Sequence, residues 1–176
     1  SVVSRGLMEA LRRAGHDAAM VVTHRSTDDV NILAAAPKWC AKATFLAEHA
    51  KIFLCNGFNR DDLFKASIAT DGLSLSRHPV VRDADAVILN WVNQGMLSLD
   101  GISELAALGK PLLWVMHDMW NMTGICHHAG DCRRYTLPDG TCGRCPLVHK
   151  SPSDGDISHI TWWRKQKLYD LSLIHI

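Results

Sequence analysis

Apolar positions along the chain switch between a helical period and short continuous runs, and this switching outlines an α/β order. Near the start, Val3, Leu7, Leu11 and Ala14 recur at helical spacing, with Arg12 and Arg13 in the last turn and Gly15 as the stop. The apolar run Ala18 to Val22 then reads as a strand. Pro37 opens a second helical stretch to about Phe53, with Ala43, Leu46, Ala47 and Ala50 on one face and Lys42, Glu48 and Lys51 elsewhere. Asn56 to Pro79 has no clean period and reads as a long irregular connection. Asp85 to Trp91 is the clearest strand, because Ala86, Val87, Ile88 and Leu89 are continuously apolar, as a parallel strand covered on both faces must be. Ser98 is placed to cap a helix carrying Leu99, Ile102, Leu105 and Leu108, which Gly109 ends before Pro111. Leu112 to Met116 forms the next buried strand. The middle therefore reads β-α-β, the unit of a right-handed crossover in a doubly wound sheet.

The ends predict a fragment. A helix followed by a strand is half of a βαβ unit whose opening strand is missing, and Leu171 to Ile176 reads as a strand that begins just as the chain stops. The 176 residues suffice for one domain with a proper core, and we read 1–176 as one α/β domain with a Rossmann-like parallel sheet, helices on both faces and a cysteine-rich insertion over 124–147. A net charge of +1 gives no reason to expect nucleic acid or a membrane as the main partner. The basic run Arg164, Lys165 and Lys167 reads as a solvated helix face, with Trp162 and Trp163 docking that helix. The longest apolar runs are far too short to span a bilayer, and no secretory signal is visible.

In open α/β sheets, ligands collect beyond the carboxyl ends of the strands. The first such end carries Asn90, Trp91, Asn93 and Gln94, followed by Gly95; the second carries His117, Asp118 and Trp120. A His there can donate to a sugar hydroxyl or to developing negative charge, and the adjacent carboxylate can accept from a hydroxyl. Trp114 lies within its strand and reads as core, whereas Trp91 and Trp120 read equally as core or as stacking surfaces.

The stretches Asp85-Ala-Val-Ile-Leu-Asn-Trp-Val-Asn-Gln-Gly95, Gly109-Lys-Pro-Leu-Leu-Trp-Val-Met-His-Asp-Met-Trp120, Thr123-Gly124 and Cys126-His127 together closely resemble a bacterial group of retaining GT-B glycosyltransferases of the family 4-like kind. The resemblance runs from about Leu7 to Tyr169 and is densest between Asp85 and Leu147. It implies the first, acceptor-side domain of two, the missing second domain gripping the nucleotide-sugar donor and carrying a pair of Glu residues. It implies sugar transfer with retention to a glycan or lipid-linked acceptor, with His117 and Asp118 as catalytic residues and Asn90, Trp91, Asn93, Gln94 and Trp120 contacting substrate. It further implies a cytoplasmic place, at the inner face of the plasma membrane, in envelope polysaccharide synthesis. Members of the group often have a His where this chain has Asn90, and their Trp-Pro-Phe-Thr-Gly reads Trp120-Asn-Met-Thr-Gly124 here.

Four of the six cysteines fall in one loop, Cys126-x5-Cys132-x9-Cys142-Gly-Arg-Cys145-Pro. The closing Cys-x-x-Cys pair is a knuckle that can turn two thiolates toward one ion, and a closed set of four thiolates suits a structural zinc that staples a loop with little core of its own. His127 or His128 could replace one thiolate. Two disulfides, a redox pair and an iron–sulfur cluster are the alternatives, while Cys40 and Cys55 read as buried thiols. Against the transferase half-domain stand a zinc-stabilised glycan-binding module without catalysis and a dinucleotide enzyme, the latter disfavoured because no G-x-G-x-x-G fingerprint occurs.

Overall fold

The computed structural model describes residues 2–136, 142–149, 153–170 and, by backbone, 174–175. It is a mixed α/β fold with five α-helices and short parallel strands among the described residues. Helix α1 (Val2–Arg13) ends at Gly15, whose φ of 92° makes the turn toward β1 (Met20–Val22). Strand β2 (Ile32–Ala34) pairs parallel with β1, Met20 opposite Ile32 and Val22 opposite Ala34. Helix α2 (Lys38–Cys55) follows Pro37, and the one-turn helix α3 (Pro79–Asp83) precedes β3 (Val87–Asn90). Helix α4 (Leu99–Ala106) crosses over to β4 (Leu112–Val115), where Val87 stands opposite Leu112 and Asn90 opposite Val115. Helix α5 (Ile157–Tyr169) leads to β5 (Ile174–His175), which pairs parallel with β4.

The expected β-α-β unit is present and closed by the expected cap: the Ser98 hydroxyl accepts from Gly101 N at 3.0 Å. Its apolar faces meet in the main core, where Leu89, Leu97, Ile102, Leu105, Trp114 and Trp120 are almost wholly removed from water. Among the described residues the strands form two sheets, β1–β2 and β3–β4–β5, instead of one continuous sheet. β2 and α3 are absent from the sequence reading because three or five residues are too few to express a period. Of the strand expected over 171–176, the described part is β5; the rest lies outside the described residues. No described helix is long and apolar enough to cross a membrane.

Two helices turn a different face inward from the one their sequences suggest. In α2 the buried positions are Glu48, His49 and Ile52, while Ala43, Leu46 and Ala50 face solvent. One oxygen of Glu48 is matched inside by donors: Oε1 accepts from Ile68 N and Ala69 N, each at 3.0 Å, and from the Ser67 hydroxyl, while Oε2 has no hydrogen-bond partner among the described residues. In α5 the basic run is not a solvated face, because Lys165 is fully buried. Its Nζ donates to Trp120 O and lies 3.9 Å from the centroid of the Trp120 ring. Trp163 is exposed, so α5 docks through Ser158, Thr161, Lys165 and Leu168.

Burial pulls the Lys165 amine down to about 7, against the opposing influence of Cys142, Cys126 and Asp118. In the unfolded chain a lysine holds its proton to about 10.4, so above pH ~7 the unfolded state binds more protons than the folded one. Stability is therefore expected to rise with pH from about 7, by at most about 1.4 kcal/mol per pH unit, until the thiols begin to ionise near pH ~8.5. Urea unfolding of the wild type and of Lys165→Met across that window checks this. The rise belongs to the wild type alone, and equal slopes in both proteins would refute the assignment.

Candidate functional site

Parallel pairing of β3 with β4 sets their carboxyl ends side by side, so Asn90-Trp91 and Met116-His117-Asp118 leave the sheet together. The chain after β3 is forced through an unusual path: φ is 45° at Trp91, 54° at Gln94 and 81° at Gly95. At Gly95 a Cβ would stand 2.6 Å from Phe45 N, so only glycine lets this loop pass so close to α2. Gln94 N donates to the Ser67 hydroxyl at 3.4 Å and Leu73 N to Met96 O at 2.8 Å, tying the loop to the irregular connection. That connection in turn carries the third wall, since Ser67 N donates to Ile125 O and His127 N to Lys65 O.

His117 is exposed, with its Nε2 2.9 Å from the Asn90 amide oxygen. In that contact the ring N–H donates to the amide oxygen, and Nδ1 has no hydrogen-bond partner among the described residues. Asp118 is in a different position. Its Oδ2 accepts from His127 Nδ1 at 2.7 Å and from Trp91 Nε1 at 2.9 Å, and its Oδ1 accepts from Trp120 N at 2.8 Å. Burial pushes this carboxyl up, but the hydrogen bonds from His127, Trp120 N and Trp91 outweigh it and hold the group below the usual carboxylate range. With both oxygens engaged, Asp118 orients its neighbours and is not a free acceptor for substrate.

The sequence-chosen residues thus divide. His117 pairs with Asn90 and Trp91 with Asp118, two hydrogen-bonded pairs that bridge the adjacent strand ends. Trp91 is 43% exposed although its indole N–H is tethered, which makes it a fixed aromatic surface at the mouth of the site. Trp120 is buried, donates its Nε1–H to Ser67 O at 2.7 Å and stacks obliquely on Trp114; it is core. Asn93 is buried too, with its Nδ2 unpaired among the described residues. His127 also joins the site, bonded to Asp118, although spacing alone did not select it. Its ring lies 5.8 Å from that of Trp91, and its Nε2 is buried without a hydrogen-bond partner among the described residues. The one available signal was its place next to Cys126 in a motif that also carries Thr123-Gly124.

Cys126, Cys132, Cys142 and Cys145 line one small cavity of about 20 Å³ together with Gly124 and Ser158, and all four are free thiols. Disulfides are therefore not formed here. Gly124 N donates to Cys142 Sγ at 3.0 Å, and a Cβ on Gly124 would stand 2.4 Å from Ser158 O, so the loop is closely seated on α5. Burial pushes the Cys126 and Cys142 thiols up and Cys145 up to about 12. Among the described residues, however, no three His, Cys, Asp or Glu side chains are grouped so that they could hold a metal ion. The cavity has room for one ion-sized body, and the four sulfurs surround it without converging on it.

No protein-family model, no curated protein and no solved structure matches this chain.

Replacing Asp118 by Asn leaves one acceptor oxygen where three donors converge, so at least one of them is stranded. Asp118→Asn is expected to cost about 1–3 kcal/mol at neutral pH, read as a lower urea midpoint. Because the folded carboxyl lies below its unfolded value, its contribution is fully present above pH ~4 and declines as pH falls through the folded value. The variant therefore loses that part of the acid sensitivity. An unchanged midpoint at neutral pH contradicts the network.

Proposed function

We propose that this chain is the acceptor-side, Rossmann-like domain of a retaining GT-B glycosyltransferase, transferring a sugar from a nucleotide-sugar donor to a glycan or lipid-linked acceptor. The observation that carries the reading is the convergence of His117, Asn90, Trp91 and Asp118 at the adjacent carboxyl ends of two parallel strands. These are the residues of the two motifs that resemble that family, and strand ends are where α/β folds hold ligands. In this role His117 meets substrate, with Nδ1 free to accept from a hydroxyl while Asn90 fixes the ring. Trp91 offers an aromatic face to a sugar ring, held in place by Asp118. Asp118 is a positioning residue for Trp91 and His127, a narrower part than the catalytic one that the resemblance implies. The transition state of such a transfer is oxocarbenium-like, and charge grows on the departing diphosphate. In this reading, stabilising that charge falls mainly to the donor-binding half of the enzyme.

A second reading, a glycan-binding module without turnover, is favoured by one feature: the carboxylate of the site is fully engaged and the exposed surface is an aromatic platform. Release of nucleoside diphosphate separates the two. The full-length protein, with its donor-binding half, is incubated with UDP-, GDP- and TDP-sugars and simple pyranoside acceptors. Release that falls on the order of 10²-fold or more in His117→Ala supports the transferase. Full activity in that variant removes His117 from the reaction, and saturable glycan binding with no release selects the module.

We further propose that the four clustered cysteines hold a structural zinc once their sulfurs draw together around the cavity they line. Buried thiols must lose protons to bind it, so loading is expected to weaken as pH falls. Elemental analysis of protein purified under reducing conditions is expected to give about one zinc per chain, lost in Cys142→Ser. Metal-free protein with an unchanged melting curve overturns this reading.

A further inference from the structure

Helix α5 carries an amine into the core, where no acid meets it. Lys165 is wholly removed from water, and its described partners are the Trp120 carbonyl and the face of the Trp120 ring. Among the described residues no carboxylate pairs with it. A carbonyl and an aromatic face replace only part of the hydration that an ammonium group gives up on burial. An apolar side chain of the same length would fill the space without that cost. A lysine at this depth is accounted for when an anion stands near it.

The helix shows where that anion lies. The inward positions of α5 are Ser158, Thr161, Lys165 and Leu168, so Lys165 follows Ser158 by two turns, about 10 Å of axis. Side chains on a helix lean toward its amino end, which sends the lysine stem back toward Ser158. Ser158 lines the cavity that Cys126, Cys132, Cys142 and Cys145 surround, and its carbonyl backs Gly124 in the same wall. Burial works against the charge of Lys165, and the groups that work for it are Cys142, then Cys126, then Asp118. Asp118 already takes three other donors, which leaves the sulfurs. Four thiolates outweigh the charge of a divalent ion, so such a site is net negative; two thiolates with two imidazoles are neutral around the same ion. Neither His127 nor His128 lines the cavity.

We infer that Lys165 is the counter-charge of a metal held by four thiolates: when the cysteines close on a divalent ion, its ammonium group balances the excess negative charge and favours sulfur over histidine as the fourth ligand. This rests on the zinc reading given above and adds to it the ligand set and its charge partner.

Zinc affinity is measured by competition with a chelator for wild type and Lys165→Met, together with the urea midpoint of each protein loaded and metal-free. Wild type is expected to bind zinc more tightly by on the order of tenfold. Loading therefore raises its midpoint further than it raises that of Lys165→Met. A lysine that only fills space moves loaded and metal-free midpoints together and leaves the affinity unchanged; that result overturns the inference while the zinc reading stands. Wild type that takes up no zinc overturns both. Should Lys165→Met fail to fold, wild type alone decides. Cobalt(II) in place of zinc is expected to show the strong sulfur-to-metal absorption of four thiolates, and a spectrum of mixed sulfur and nitrogen ligands overturns the inference.

Discussion

The carboxyl group of Glu48 sets the arrangement from which the rest of this structure follows. A carboxyl inside a protein needs donors, and three meet its Oε1, the Ser67 hydroxyl and the amides of Ile68 and Ala69, while Oε2 is buried without a hydrogen-bond partner among the described residues. Meeting those donors fixes the rotation of α2, because Glu48 can reach the 67–69 segment only if its side of the helix faces inward. The cost is that the more apolar side, with Trp39, Leu46 and Leu54, faces out. Holding the 67–69 segment also places the backbone on which the site hangs. Ser67 O accepts from Trp120 Nε1, Ser67 N donates to Ile125 O, and Ala69 O accepts from Leu99 N at the start of α4. One buried acid thus ties α2 to both strand-end loops and to the crossover helix.

The strand ends are adjacent by register, but adjacency alone does not make a site. What organises these residues is saturation of Asp118, whose two oxygens take three donors from three separate stretches of chain. This leaves Trp91 exposed but tethered and His117 exposed with a free ring nitrogen, a rigid surface beside one adjustable polar group. Two of the six described non-glycine residues with positive φ, Trp91 and Gln94, stand in the same place, where that conformation is costly for residues with a side chain. The close passage of Gly95 over α2 shows what sustains the strain: the loop is pinned from below by the helix that Glu48 holds in place.

The parts of this architecture that could be read from sequence are those that depend on local period. The continuous apolar run before Asn90, the Ser98 cap and the Gly15 stop each state their structure within a few residues, and the β3–α4–β4 unit follows from them. Strand ends then point to His117, Asp118, Asn90 and Trp91 without knowledge of the tertiary fold. What could not be read is whatever depends on which side of a helix finds partners. Nothing local distinguishes Glu48 from a solvated glutamate, because its donors lie about twenty residues away. Lys165 reads as part of a basic run until Trp120 closes over it. His127 likewise looks like a spare ligand beside Cys126, and its bond to Asp118 exists only because the segment carrying Lys65 and Ala66 pairs with it.

That last pairing makes the cysteine loop and the strand-end site one mechanical unit. Cys126 bridges to Ala66, its carbonyl accepts from the Thr123 hydroxyl at 2.6 Å, and the next residue delivers its imidazole to Asp118. On the other side, Gly124 presses against Ser158 in α5, and Lys165 of the same helix reaches Trp120 in the β4 loop. Lys165 therefore stands between the thiols and Asp118, and both influence its proton. Part of this loop is held by burial, since Ile125, Cys145 and Val148 join Ile52, Ala66 and Ile68 in a second apolar cluster. The pairing of Ala66 with Cys126 and of His127 N with Lys65 O fixes the backbone of His127, and through it the orientation of Asp118 and Trp91. The loop acts on the site by position, through rigid hydrogen-bonded steps, and needs no chemistry of its own to do so.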